Sequence, residues 1–164
     1  MQPPSSTRQQ SDPPSPPPYP LAHRSQRLAA ALIDEGIALL WLIPLFNRYD
    51  IFAHAQRGEP APLNAVIQIS ILAFLFFLLA HGYLLHRYGQ TIGKRILRIA
   101  VATLDFQVPP FNRLIALRYL PFRVLGAIPG LAILTLLNPL FIFRQDRRCL
   151  HDHLAGTQVI YVGR

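Results

Sequence analysis

The chain is poor in cysteine and in acidic residues. Its one cysteine, Cys149, excludes an intramolecular disulfide and reads as a small, partly buried residue. Asp and Glu together number 8 against 16 Lys and Arg, leaving a formal net charge of +8. Such a surplus suits nucleic acid in other contexts. Here the basic residues flank apolar runs, so anionic lipid headgroups are the expected partner and nucleic acid is not. An apolar leader core is also lacking at the front. Residues 1–20 (MQPPSSTRQQSDPPSPPPYP) are too rich in proline to form a helix and too polar to collapse. No secretory signal peptide is expected, and residues 1–20 read as a disordered tail ahead of a membrane domain at 21–164.

The apolar residues, 51% of the total, gather into a few long runs. That is the pattern of a membrane protein. Leu28–Phe46 (LAAALIDEGIALLWLIPLF) would reach roughly 28 Å as a helix, close to the hydrocarbon thickness of a bilayer. Trp41 and Pro44 suit its far end. Leu63–Leu85 forms the clearest span, with Ser70 the lone polar residue in Ile69–Ala80. Two β-branched stretches, Arg98–Thr103 and Thr157–Val162, are expected to pair as a small cytoplasmic sheet.

The third apolar element is less regular. Arg113, Arg118 and Arg123 stud a stretch suited to the membrane surface, and Val124–Phe143 follows, interrupted at Pro129-Gly130 and Asn138-Pro139. It either crosses once or dips in and returns. The distribution of basic residues bears on the choice. The connection 47–62 balances Arg48 and Arg57 against Asp50 and Glu59, whereas residues 86–123 set seven Lys and Arg against Asp105 alone. The N-terminus and the basic 86–123 region are therefore assigned to the cytoplasm, and the arginines of RQDRR favour the same side for the C-terminus. The expected fold is an all-α membrane protein: two transmembrane helices, a third broken or re-entrant apolar element, and a two-stranded β element.

Asp34 and Glu35 lie inside the first apolar run. A carboxylate at such depth needs a partner or a proton. Arg27 stands seven residues before Asp34, on the same helical face, so Arg27, Asp34 and Glu35 define a candidate intramembrane polar centre. It serves either as a cation- or proton-handling group or as a buried ion pair with an arginine of Arg113–Arg123. Asn64, Gln68 and His81 are candidate hydrogen-bonding neighbours. In His151-Asp152-His153, adjacent side chains diverge and no second ligand cluster accompanies them, so Asp152 is expected to cap a turn or pair with an arginine. Gly89-Gln90-Thr91-Ile92-Gly93-Lys94-Arg95 lacks the spacing of a phosphate loop. Its glycines suit a tight turn leaving the helix, with Lys94 and Arg95 at lipid headgroups. No nucleophile–base arrangement is discernible, and neither an enzyme nor a cofactor is expected.

Three stretches together resemble the RDD family of bacterial membrane proteins: Arg27–Leu40 (RLAAALIDEGIALL), Gly89–Val101 (GQTIGKRILRIAV) followed by Leu114–Leu120 (LIALRYL), and Leu150–Ile160 (LHDHLAGTQVI). The resemblance covers roughly Leu21–Val162 and implies a compact helical domain in the cytoplasmic membrane. Carried over by position, the arginine and two aspartates that name the family fall on Arg27, Asp34 and Asp152. Its motif residues fall on Gly89, Thr91, Gly93, Lys94, Arg95, Arg118, His151 and Asp152. Cation/proton antiport has been proposed for some members, which suggests small-solute or cation/proton transport; the alternative is a non-transporting scaffold, assembly factor or regulatory partner. Two helices enclose little volume, so transport would need a homo-oligomer or a membrane partner. Two departures are visible: LDFQVPP lacks the usual glycine after the first strand, and Glu35 adds a second acid.

Overall fold

The computed structural model describes residues 19–128, 131, 135, 141 and 148–163. Two long helices dominate, α1 (Arg24–Arg48) and α3 (Leu63–Tyr88). A short α2 (Ile51–Gln56) lies between them after a left-handed Asp50. Both long helices match the two apolar runs, each extended by basic residues at its ends. They pack antiparallel, with Trp41 against Phe76 at 4.6 Å between ring centroids and the Tyr49 hydroxyl donating to Gln68 Oε1 at 2.5 Å.

Both helices are long and apolar enough to cross a membrane. A core helix of a soluble protein passes the same test of length, but it buries its apolar side chains. Here the opposite holds. On α1 only Ala30 is fully buried, while Leu32, Leu40 and Trp41 stand exposed. On α3 the buried residues Ala65, Ile69, Phe77, His81 and Leu85 follow one i, i+4 row, and Leu79, at 84% exposure, lies off it. So much outward apolar surface on paired helices is the signature of a lipid-facing surface.

The remaining elements form a cap over the end where α1 begins and α3 finishes. Gly89 ends α3 at φ +64°, and its N–H bonds the Leu85 carbonyl. A Cβ at this position would collide with the Val101 carbonyl oxygen, so glycine is required twice over. Next come α4 (Ile92–Ile96) and β1 (Ile99–Thr103). β1 pairs antiparallel with β2 (Thr157–Tyr161), Ile99 opposite Tyr161 and Thr103 opposite Thr157, as the β-branched stretches suggested. The chain ahead of α1 runs along the far edge of β2: the Ala22 N–H bonds Val159 O, and the Tyr161 N–H bonds Pro20 O. Ile99, Val101 and Val159 thereby join Phe77, Leu85 and Leu114 in the core.

The basic stretch after β1 is one continuous helical rod: α5 (Phe111–Arg113), a π-helix (Leu114–Tyr119) and α6 (Leu120–Ala127). It does not simply float at a surface. The π-helix turns Leu114 and Arg118 inward, and both are buried. The expected break at Pro129-Gly130, the course of the third apolar element beyond it and the first 18 residues lie outside the described residues. The last helix, α7 (Leu150–Ala155), ends at the left-handed Gly156 and feeds β2.

Candidate functional site

Arg27 and Asp34 do share a face of α1, but they serve two separate centres. Seven residues of helix set them about 10 Å apart along the axis. Each finds its partners on a different part of the cap.

The first centre is built on Asp152, whose side chain is fully buried. Asp152 occupies the third position of α7, and its Oδ2 accepts the Cys149 N–H at 3.0 Å, capping its own helix. Two guanidiniums close on it. Arg27, from α1, donates to Oδ2 and also lies 3.4 Å from Cys149 Sγ. Arg118, from the π-helix, donates to Oδ1 and to Thr157 Oγ1 at 2.8 Å. Arg148 braces the outside, its Nε donating to the Thr157 carbonyl at 3.0 Å. Burial alone would raise the Asp152 pKa, but Arg118, His151 and Arg27 outweigh it and hold the carboxyl below the usual carboxylate range. Asp152 is therefore a fixed anion. His151 responds the other way. Burial, reinforced by Arg118, drives its pKa well below the ordinary value, so the imidazole is neutral at neutral pH although its Nε2 lies 3.7 Å from Asp152 Oδ1. Burial likewise pushes the Cys149 thiol up.

Ligand atoms of Cys149, His151 and Asp152 lie within 4.8 Å of one another. The chemistry of this donor set disfavours a cation. Asp152 already carries two guanidiniums, and a metal would have to displace one against the repulsion of the other.

The second centre is built on Asp34, which is partly buried. Its Oδ2 accepts the Thr91 hydroxyl at 2.5 Å, and its Oδ1 accepts the Gly93 N–H at 2.8 Å. Lys94 Nζ lies 4.0 Å from Oδ2. From α3, His81 Nδ1 accepts the Ile92 N–H at 3.2 Å, and Thr91 Oγ1 accepts the Lys94 N–H at 3.4 Å. The three free N–H groups at the start of α4 are thus satisfied by three side chains from three elements. The carboxylate also faces the positive end of α4. Gly93 permits this docking, because a Cβ there would strike the Ala30 carbonyl oxygen. Gln90 finishes the turn by donating to Ile99 O at 3.0 Å and accepting from Arg95 at 3.2 Å.

Several expectations need correction. Arg27 pairs with Asp152, not with the Asp34 centre, and Asp34 is held by Thr91, Gly93 and Lys94 instead of an arginine of Arg113–Arg123. Glu35 is exposed and joins neither centre, since adjacent helical residues point about 100° apart. Lys94 turns inward to Asp34, whereas Arg95 lies outward over the Tyr88 ring at 4.5 Å. Of the proposed neighbours, His81 reaches the Asp34 region, Gln68 turns to Tyr49, and Asn64 is exposed. The roles of Thr157 and Cys149 were missed. Thr157 had a signal: it opens the second strand just after Gly156, in the same stretch as Asp152.

Two apolar helices with outward leucines, sealed at one end by a polar cap, point to a membrane protein. The chain belongs to the RDD family, whose model matches residues 21–156. Neither the curated proteins nor the solved structures compared with it include a match.

Proposed function

We propose that the chain is a multi-pass, non-catalytic protein of the bacterial cytoplasmic membrane, with its N-terminus and cap in the cytoplasm, and that it acts as a non-transporting scaffold, assembly factor or regulatory partner. The observation that carries this is the closed Arg27–Asp152–Arg118 network. A transport carboxylate must change its proton or its partner during each cycle. Asp152 is buried, ionised and held by two arginines from two different elements, which suits a clamp. The orientation rests on the basic residues of 86–123, which belong to the cap and the rod after it. Its partners on this reading are anionic lipid and either a second copy or another membrane protein.

Cation/proton transport is the second reading, and Asp34 favours it: a carboxylate within an apolar helix, beside a hydroxyl and a lysine. Proteoliposomes containing the full chain discriminate the two. The clamp reading expects no pH-gradient-driven Na⁺ or K⁺ flux above empty vesicles, and a lower melting temperature for Asp34→Asn. Wild-type flux that Asp34→Asn abolishes, with melting unchanged, overturns it in favour of transport. Reporter fusions at the two termini test the orientation.

A further inference from the structure

An open cleft of about 510 Å³ lies beside the sheet, where the last turn of α3 meets the cap. Its basic lining is Arg87, Arg95 and Arg98, and no carboxylate lines it. In volume it falls within the range of small-ligand sites, about 300–1,000 Å³. Three like charges repel one another, so their convergence without a counter-charge calls for an anion. Among the described residues, neither Arg87 nor Arg98 has an ion-pair or hydrogen-bonding partner for its side chain. Arg95 is already oriented, stacked on Tyr88 and bonded to Gln90 Oε1. Arg98 is held at φ +56°, a left-handed conformation that a long side chain seldom adopts. Gly89 O and Arg98 O, which receive the Val101 and Val162 N–H groups at 2.9 Å, fix the surrounding backbone. Opposite the arginines, Ala100, Val108 and Val162 supply an apolar wall.

We propose that this cleft binds a phosphate group, the three guanidiniums taking its oxygens and the apolar wall taking the carbon skeleton attached to it. Guanidinium matches phosphate with paired N–H donors. A spanning α3 brings its last turn to the depth of the headgroups, so a phospholipid is one source; free phosphate is the other. Only the lipid source rests on the membrane reading above.

The test uses the full chain in detergent. Dihexanoyl phosphatidylglycerol and dihexanoyl phosphatidylcholine are titrated and followed by native mass spectrometry, and inorganic phosphate is followed by thermal shift. The variant is Arg87→Gln with Arg98→Asn, since asparagine tolerates positive φ and spares the fold. Arg48→Gln with Arg57→Gln removes the same charge far from the cleft. Phosphatidylglycerol binding more tightly than phosphatidylcholine, and weakening at least tenfold in the cleft variant only, supports a lipid headgroup. Thermal protection by millimolar phosphate, lost in the cleft variant only and without lipid preference, supports the free anion. Binding of both probes unchanged in the cleft variant, or weakened equally by the remote pair, overturns the proposal. Phosphate protection in detergent with no lipid effect would leave the site standing while removing its lipid source.

Discussion

The two aspartates engage their surroundings in contrasting ways. Asp152 is fully buried and spends its charge on two other charges, joining α1, the π-helix and α7 through guanidiniums. Asp34 is partly exposed and spends its charge mainly on a hydroxyl and a backbone N–H, holding one short turn against α1. The first arrangement fails badly when one member is lost, because the others remain buried and unpaired. The second fails gently, because water can reach what is released. Identical side chains in one small domain therefore carry different energetic weight, decided by what surrounds them.

The largest effect should come from Asp152→Asn, which leaves Arg27 and Arg118 facing each other without an anion. A loss of about 3–5 kcal/mol is expected, enough to abolish a monodisperse peak in detergent size-exclusion chromatography. If Asp152→Asn melts like wild type, the clamp does not hold the cap. Gly93→Ala comes next. Its new methyl group meets the Ala30 carbonyl oxygen and must push α4 off α1, at a cost of about 1–3 kcal/mol in thermal unfolding. Asp34→Asn should cost less, about 1–2 kcal/mol, since the amide oxygen still accepts one of the two bonds. Its clearest signature would be faster amide exchange at Gly93 with exchange in β1 unchanged. An equal loss from Asp34→Asn and Asp152→Asn would erase the contrast between the two centres.

The smallest effect is a pH slope. In an unfolded chain a histidine takes up its proton near pH 6.5. Folding holds His151 well below its ordinary value, so between the two values the unfolded state binds more protons. Stability should therefore fall as pH drops from 7 to 5. Asp152 acts in the same direction but only below about pH 3.9, where the unfolded carboxyl protonates and the folded one does not. Melting curves of His151→Gln should show a shallower decline from pH 7 to 5 than wild type. A decline just as steep would assign the slope to another group.

Both long helices were legible because an uninterrupted apolar run has few other conformations open to it. The two strands were legible from β-branched residues, and the Gly89 turn from its glycine at the end of an apolar run. Thr91 could have been read further, as a hydroxyl residue directly before a helix. What local pattern could not supply was pairing at a distance. Arg27 and Asp152 are 125 residues apart, and nothing in helical periodicity distinguishes a partner at 152 from one seven positions away. The inward turn of Arg118 was hidden for another reason: arginine among apolar residues reads as a surface stripe unless the helix is known to be wound differently there.

That different winding has a consequence for chain length. A π-turn holds one more residue than an α-turn, so Leu114–Tyr119 behaves as a built-in insertion. Deleting any single residue between Leu114 and Leu117 would let the stretch relax to ordinary pitch and swing Arg118 by about 100° relative to the preceding turn, off its carboxylate. In this short rod, spacing is constrained more tightly than side-chain identity: a conservative replacement costs some packing, whereas one lost residue dismantles the clamp.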